Sequence, residues 1–205
     1  MYRRFGKRIL DVTLVLCALP FLTPLTGAIG LIVAVFMGRP VLFRHRRSGL
    51  NGKPITVLKF RTMTNKTDPN GQLLPDHVRV TAVGRWLRSL SLDELPQLWN
   101  VLKGDMSLVG PRPLLPKYDP LYSPVQRRRL SAPPGITGLA QVSGRNGISW
   151  DRKLALDVEY VDKYSLLLDV RILITTVIVV FRRNGVNATS DTPMPEFAGS
   201  SVNQD

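Results

Sequence analysis

Residues Val12–Met37 read VTLVLCALPFLTPLTGAIGLIVAVFM, and no charged side chain interrupts these 26 positions. About 20 apolar residues are enough to cross a lipid bilayer. A cleaved secretory signal is disfavoured, because its apolar core is only about 7–15 residues long and no small-residue cleavage site follows here. The segment therefore predicts a helix inside a membrane. Asp11 at its edge needs a basic partner, and Lys7 lies one turn away.

Two features of this segment predict a helix that bends and returns to the side from which it entered. Pro20 and Pro24 each remove a helical hydrogen bond, so we expect a sharp bend near Leu22–Pro24, where the Thr23 hydroxyl could bond to a freed carbonyl. A re-entrant hairpin is favoured, and a kinked span is the alternative. Basic residues, which mark the cytoplasmic side, flank both ends: Arg3, Arg4, Lys7 and Arg8 before the segment, and Arg39, Arg44, Arg46 and Arg47 after it.

The composition of the chain narrows the classes of function. Its 205 residues are 44 % apolar, which suits one ordinary domain with a core. A net charge of +13 predicts a polyanionic partner, which could be nucleic acid, an anionic membrane surface or a phosphate-bearing substrate. Nucleic acid is disfavoured, because aromatic residues make up only 7 % and are not interleaved with basic ones. One cysteine and two histidines argue against a zinc cluster or a histidine-based triad.

Beyond the membrane segment, the sequence predicts a fold of the α+β class that is mainly helical, with one short β-hairpin. Val41–Arg46 and Ile55–Phe60 read as its two strands, because turn residues separate them. The other predicted features are helices at Val83–Leu90, Leu95–Leu102 and Trp150–Tyr164, the last with a polar face, irregular stretches at 108–116 and 133–147, and a loosely ordered polar tail from Asn184.

Leu166–Phe181 is apolar but carries Asp169 and Arg171, so it is too short and too charged to span a membrane. It predicts an amphipathic helix that lies in the membrane interface, with an ordinary core helix as the alternative. We expect three units: a re-entrant membrane helix in residues 1–38, a cytoplasmic membrane-surface domain in 39–185, and a polar tail in 186–205.

Asp93 and Glu94 stand at the start of a predicted helix, and two interpretations of them are open. In the first, Ser91 and Glu94 form a capping box that stabilises the helix end. In the second, the helix N-terminus lowers the pKa of Asp93 and keeps it ionised, so that it can attack phosphorus and form an acyl phosphate. Mg²⁺ would then be needed to bridge and screen the carboxylates and a diphosphate.

Basic side chains in stiff or glycine-rich segments are candidates for binding phosphate. Arg112 lies between two prolines, and Arg145 is framed by glycines. The planar guanidinium group of arginine matches phosphate oxygens in a bidentate manner. Lys59, near the end of the second predicted strand, either contacts substrate or belongs to a basic rim over lipid headgroups.

Four sequence blocks occur in a fixed order behind the proline-containing membrane segment. Together they resemble the monotopic phosphoglycosyl transferases, also called bacterial sugar transferases, and the likeness covers roughly Tyr2 to Gly185. The blocks are KFRTM at Lys59–Met63, SLDELPQ at Ser91–Gln97, KGDMSLVGPRP at Lys103–Pro113 and PGITGLAQV at Pro134–Val142.

The resemblance implies a specific reaction at the membrane. Asp93 would attack the β-phosphate of a UDP-sugar and release UMP, and undecaprenyl phosphate would then accept the phospho-sugar. Glu94 would assist as a metal contact or proton acceptor, with Mg²⁺ as the cofactor held at Asp93 and Glu94. Arg112 and Arg145 would bind phosphate, with Arg88 and Lys59 as weaker candidates for the same region.

The resemblance also implies where the chain works and with what. The helix would bend at Thr23–Pro24, where family members have Ser-Pro or a similar step, and both ends would face the cytoplasm at the inner membrane. The expected partners are the UDP-sugar donor, the undecaprenyl phosphate acceptor, membrane lipid and later glycosyltransferases of the pathway. The alternative is a non-catalytic membrane scaffold, which would not need Asp93. A multi-span transferase is disfavoured by the single hydrophobic segment.

Overall fold

The computed structural model describes residues 2–144, 147–181 and 196–199. The chain is mainly helical with a short antiparallel hairpin, which confirms the predicted α+β class. The helices are α1 Lys7–Met37, α2 Asp76–Arg79, α3 Ala82–Ser89, α4 Gln97–Lys103, α5 Pro124–Arg127, α6 Leu139–Val142, α7 Trp150–Lys163 and α8 Leu166–Phe181, and the strands are β1 Leu42–Ser48, β2 Pro54–Phe60, β3 Ser107–Val109 and β4 Gly135–Thr137.

Helix α1 is long and apolar enough to cross a membrane. It runs without interruption through Pro20 and Pro24, so the sharp bend between them stays a prediction. The hydroxyl that bonds to a carbonyl at this step is that of Thr26, which donates to the Leu22 carbonyl oxygen at 2.6 Å. The prediction was that Thr23 would bond to a carbonyl freed by a proline; Pro20 and Pro24 free those of Leu16 and Pro20, so the Thr26 bond to Leu22 does not fulfil it.

The first turns of α1 are fastened to the rest of the chain by polar contacts. Arg8 donates to the Val101 and Leu102 carbonyls near the end of α4. Asp11 accepts a hydrogen bond from the Leu108 backbone N–H in β3 at 3.1 Å. The Lys7 ammonium group lies 2.7 Å from the carboxylate of Asp169 in α8, so its ion pair is with Asp169 and not with Asp11 as expected, although its charge still acts on Asp11.

The last turns of α1 pack on the same domain as the first. Ile29 and Val33 are buried against Phe60 of β2, and Arg61 donates to the two carbonyls that follow the helix, at 3.0 and 3.2 Å. No residue between Val15 and Ile29 is buried. Helix α1 is thus held at both ends by one domain and exposes its middle.

The predicted hairpin is present, with strands slightly longer than expected. Its register pairs Leu42 with Phe60 and Ser48 with Pro54. Directly paired residues share a face of an antiparallel ladder, so Phe43, His45 and Arg47 lie on the same face as Lys59. Asn100 of α4 clamps β2 from the side, because its amide accepts from the Leu58 N–H at 3.0 Å and donates to the Thr56 carbonyl at 2.7 Å.

A parallel pairing of β3 with β4 lies where the sequence predicted irregular structure. The two strands are three residues each, and their backbones touch: a Cβ on Gly110 would lie 2.3 Å from the Pro133 carbonyl oxygen, and one on Gly135 would lie 2.1 Å from the Gly110 nitrogen. Glycine is therefore required at both positions, and the pairing brings two of the four sequence blocks together.

Helices α7 and α8 close the domain. Helix α7 is more deeply buried than its predicted polar face suggested, with Leu154, Tyr160 and Val161 in the core. Helix α8 has the predicted bounds and turns Asp169 and Ile172 inward. Its outer side exposes Leu166, Leu167, Val170, Ile174, Val177 and Ile178, which favours the interfacial helix over the core helix.

Most of the predicted polar tail, including the boundary at 185/186, lies outside the described residues. Residues 196–199 are described, and they do not fit a loosely ordered tail. Phe197 is buried among the rings of Tyr118, Tyr122 and Trp150. This short piece of chain is part of the core.

Candidate functional site

Asp93 and Glu94 lie in a single 3₁₀ turn, Leu92–Glu94, ahead of α4. Ser91 before the turn has left-handed backbone angles (φ 56°, ψ 21°), and its side chain makes no capping hydrogen bond. The capping-box interpretation is therefore wrong. A left-handed serine is uncommon, and such backbone strain clusters at functional sites.

The carboxylate of Glu94 is held by two cations. Lys59 Nζ donates to its Oε1 at 2.5 Å, and Arg112 Nη2 donates to the same oxygen at 2.9 Å. Burial alone would raise the pKa of Glu94, but the charges of Arg112 and Lys59 outweigh it and lower the pKa to about 2. Glu94 is consequently ionised at any physiological pH.

Asp93 is only 8 % exposed, and the surroundings of its carboxylate differ from those of Glu94. Within the described part of the chain, no group donates a hydrogen bond to it or pairs with it as an ion. Burial raises its pKa, the neighbouring Glu94 raises it further, and Lys59, Arg88 and Arg112 oppose that rise. The expected lowering of this pKa by a helix terminus is wrong, because α4 begins only at Gln97 and burial dominates.

Arg88 approaches the turn from the last turn of α3. Its Nε donates to the Thr62 hydroxyl at 2.9 Å, and Thr62 is buried. Helix α3 can lie this close because Gly84 touches the same residue, where a Cβ would be only 2.0 Å from the Thr62 carbonyl oxygen. Thr81 caps the helix by accepting from the Gly84 N–H at 2.9 Å. The KFRTM block thus supplies Lys59 and fixes the direction of Arg88.

Arg112 enters from the segment after β3, between two prolines that restrict its backbone. Its side chain is 47 % exposed although it contacts Glu94. The guanidinium group can therefore meet a ligand on its open side. Arg145, the other arginine predicted to bind phosphate, lies outside the described residues.

Two further groups on the hairpin were not singled out by the sequence. His45 Nδ1 and Arg47 Nη2 are 3.2 Å apart. Burial, with the charges of Arg47 and Lys59, lowers the pKa of His45 to about 4, so the ring is neutral at pH 7. Burial and the charge of Arg112 lower the pKa of Arg47 to about 10, which leaves it cationic. The alternation Phe43-x-His45-x-Arg47 was the available signal, since it places them on the face of Lys59.

The charges at this site favour an anionic ligand. Four cations, Arg47, Lys59, Arg88 and Arg112, face the two carboxylates of Asp93 and Glu94. In the ranges that the structure describes, no three His, Cys, Asp or Glu residues are grouped to hold a metal. Two adjacent carboxylates nevertheless suit Mg²⁺, which typically binds one or two carboxylates together with substrate phosphates.

Comparison with known proteins gives consistent matches along nearly the whole chain. The family model described as bacterial sugar transferase matches residues 2–183. EpsL of Bacillus subtilis, named an uncharacterized sugar transferase, is 51 % identical over 197 residues, which cover 95 % of this chain and 96 % of that protein.

Two relatives have names that state a reaction. The UDP-glucose:undecaprenyl-phosphate glucose-1-phosphate transferase of Caulobacter vibrioides is 43 % identical over 181 residues, or 83 % of this chain and 68 % of that protein. The undecaprenyl-phosphate galactose phosphotransferase of Salmonella typhimurium is 40 % identical over 199 residues, or 89 % of this chain and 42 % of that protein.

Proposed function

The chain belongs to the bacterial sugar transferase family, and we propose that it moves a phospho-sugar from a UDP-sugar to undecaprenyl phosphate through a covalent intermediate on Asp93. Its relatives named as undecaprenyl-phosphate sugar phosphotransferases support the overall reaction. The products are undecaprenyl-diphosphate-sugar and UMP.

One observation carries this proposal: the adjacent carboxylates of buried Asp93 and half-buried Glu94 have opposite surroundings. Lys59 and Arg112 both donate to Glu94 Oε1, while Asp93 receives no donor from the described residues. Neither carboxylate oxygen of Asp93 is among the described side-chain atoms that are buried without a partner, so this carboxylate stays accessible although the residue is buried. An open carboxylate suits a nucleophile, because its lone pairs must be free to meet the electrophile. A membrane scaffold has no use for this arrangement.

The chemistry follows in two displacements. An Asp93 carboxylate oxygen attacks the β-phosphorus, the bond from that phosphorus to the oxygen bridging the two phosphates breaks, and UMP leaves with that oxygen. A phosphate oxygen of undecaprenyl phosphate then attacks the same phosphorus, and the acyl-phosphate bond breaks to regenerate Asp93. Arg112 and Arg88 neutralise the phosphate oxygens, and Lys59 and Arg112 hold Glu94 still beside the nucleophile.

Mg²⁺ is the cofactor we propose. Asp93 and Glu94 would hold it together with the donor diphosphate, and the donor set fits, because both cations on Glu94 bind the same oxygen, Oε1. Bound there, it would screen the repulsion between carboxylate and diphosphate.

The membrane arrangement is also part of the proposal. Helix α1 would enter the inner membrane and return, with both ends at the cytoplasmic face, and the outer side of α8 would lie in the interface. The attachment of both ends of α1 to one domain supports this, as do the exposed apolar residues in the middle of α1 and on α8. A site at that plane can meet a lipid phosphate and a soluble donor. Later glycosyltransferases of the pathway would take up the product.

The test is UMP release by the purified chain in detergent with Mg²⁺, undecaprenyl phosphate and a panel of UDP-sugars that includes UDP-glucose and UDP-galactose. We expect sustained release that requires the lipid and is lost in Asp93→Asn. Asp76→Asn, which removes an exposed carboxylate paired with Arg79, is the matched control and should keep the native rate. Native-rate release by Asp93→Asn would overturn the mechanism.

A further inference from the structure

Arg129 is buried directly behind Arg112. Its side chain is 1 % exposed, and it has the largest volume of the fully buried side chains in the part of the chain that the structure describes. Nε and Nη2 donate to Asp157 Oδ2 of α7 at 3.0 and 2.7 Å, and Nη1 donates to the Tyr122 hydroxyl at 3.4 Å. The remaining contact is to backbone: Nη2 also donates to the Arg112 carbonyl oxygen at 2.6 Å.

Stability alone does not account for this buried ion pair. Desolvating two charges costs about as much as their attraction returns, and apolar residues of similar volume are often as good or better. Asp157 engages Arg129 through Oδ2 alone, and its Oδ1 is buried without a partner among the described residues. The pair therefore stabilises the fold less than well-packed apolar residues would.

The position of the pair suggests what it does. The Arg112 backbone is held on one side by the paired strands, where the Gly110 N–H donates to the Thr137 carbonyl at 2.8 Å. Arg129 holds it on the other through the Arg112 carbonyl. The guanidinium group of Arg112 then extends to Glu94 from a backbone that is fixed at both sides.

We propose that Arg129, oriented by Asp157, is a positioning residue that holds the Arg112 backbone so that its guanidinium group meets the donor diphosphate. This inference rests on the proposed function, in which Arg112 binds the phosphates. Arg129 itself does not touch substrate and acts only through Arg112. A displacement of about 1 Å at such a group costs roughly 100-fold in rate.

The test replaces both charges together, as Arg129→Met with Asp157→Leu, so that no buried charge is left alone. We expect this double variant to melt at the native temperature or above it. The value of kcat/KM for the donor should fall roughly 10- to 100-fold. In an Arg112→Ala background the same double change should cause no further fall, because Arg129 acts through Arg112. Purely structural damage would lower kcat/KM by the same factor in both backgrounds.

A matched control uses the neighbouring pair. Arg128, the residue before Arg129, pairs with Asp162 of α7 at the surface. Arg128→Gln with Asp162→Asn should keep native kcat/KM. Calorimetric titration of each variant with UDP and Mg²⁺ reads phosphate binding without turnover, and the buried double variant should bind UDP roughly tenfold or more weakly.

The outcomes separate the two proposals. Native kcat/KM and native UDP affinity in the buried double variant would overturn the role of Arg129 and leave the proposed function intact. If the native chain released no UMP from any UDP-sugar, the proposed function would fail, and UDP affinity across the Arg112 and Arg129 variants would still decide whether Arg129 acts through Arg112. If the Arg129 and Asp157 double change lowered UDP affinity equally in the native and Arg112→Ala backgrounds, the role of Arg129 would also be overturned.

Discussion

Two buried aspartates in this molecule have opposite hydrogen-bonding environments. Asp169 in α8 is 1 % exposed and accepts from three donors: the Lys7 ammonium group at 2.7 Å, the Tyr160 hydroxyl at 2.7 Å and the Tyr2 hydroxyl. Asp93 is nearly as buried and accepts from none of the described residues, although three cations surround it. The first carboxylate joins α8 to the start of α1, and the second is the group that we propose as the nucleophile.

The largest expected effect comes from Asp93→Asn. It should lower the rate of UMP release by at least about 10⁴-fold, as loss of a nucleophile does. It should not lower the melting temperature, because burial raises the pKa of Asp93 and thus disfavours its charged form in the fold. The rate of UMP release and the melting temperature, measured on the same preparation, test these two expectations. A large drop in melting temperature would mean that Asp93 is structural, like Asp169.

The reverse is expected of Asp169→Asn. Lys7 would lose its ion-pair partner while both stay buried, and breaking such a pair costs about 3–5 kcal/mol. Chemical denaturation should show that loss, while the folded fraction should keep UMP release within a few-fold of native. Loss of activity by more than about 100-fold in folded protein would mean that Asp169 serves the reaction as well as the fold.

Glu94→Gln should have an intermediate effect. Lys59 and Arg112 would lose the charge that holds them together, and the resulting shift should lower kcat/KM roughly 10- to 100-fold. Glu159→Gln is the matched control, because Glu159 forms an exposed pair with Lys163 whose worth is below about 1 kcal/mol. Steady-state kinetics on both variants gives the result. An effect no larger than that of Glu159→Gln would show that Glu94 has no role in the reaction.

The smallest expected effect is on the pH profile. Burial raises the pKa of Asp93 above its ordinary 3.8, and the protonated acid is not a nucleophile. In the free protein, before donor and Mg²⁺ bind, Asp93 should therefore become protonated at a higher pH than an exposed aspartate, and kcat/KM, which reports the free enzyme, should begin to fall there as pH is lowered. Glu94 cannot cause this fall, since its pKa of about 2 keeps it ionised over this pH range. A profile of kcat/KM that stays flat until the protein unfolds would contradict this.

Much of the fold could be predicted from the sequence, because its longer elements have clear patterns. The apolar run predicted α1, and the observed bounds of α8 match the predicted ones. The pairing of β3 with β4 was missed, because three-residue strands have no periodicity and their partners are 28 residues apart in the chain, as in Ser107 with Gly135. The signal that remained was glycine: Gly110 and Gly135 stand where two backbones touch.

The candidate site was only partly predictable, for a physical reason. Sequence blocks pointed to Asp93, Glu94, Lys59 and Arg112, and the family resemblance added Arg88; the structure brings these five together, and their chemical roles remain proposals. The pKa of Asp93 was predicted in the wrong direction, because burial depends on tertiary packing. Buried groups such as Arg129 and Asp157 escape sequence reasoning for the same reason: a charged residue is ordinarily assigned to the surface.

Mass spectrometry of the intact protein tests the central claim most directly. The chain is incubated with Mg²⁺ and the UDP-sugar that supports turnover, without undecaprenyl phosphate, and its mass is measured before and after the lipid is added. We predict an adduct of one phospho-sugar, mapped by proteolysis to Asp93, that disappears when the lipid is supplied. Turnover with no adduct on the protein, or an adduct on a residue other than Asp93, would contradict the account.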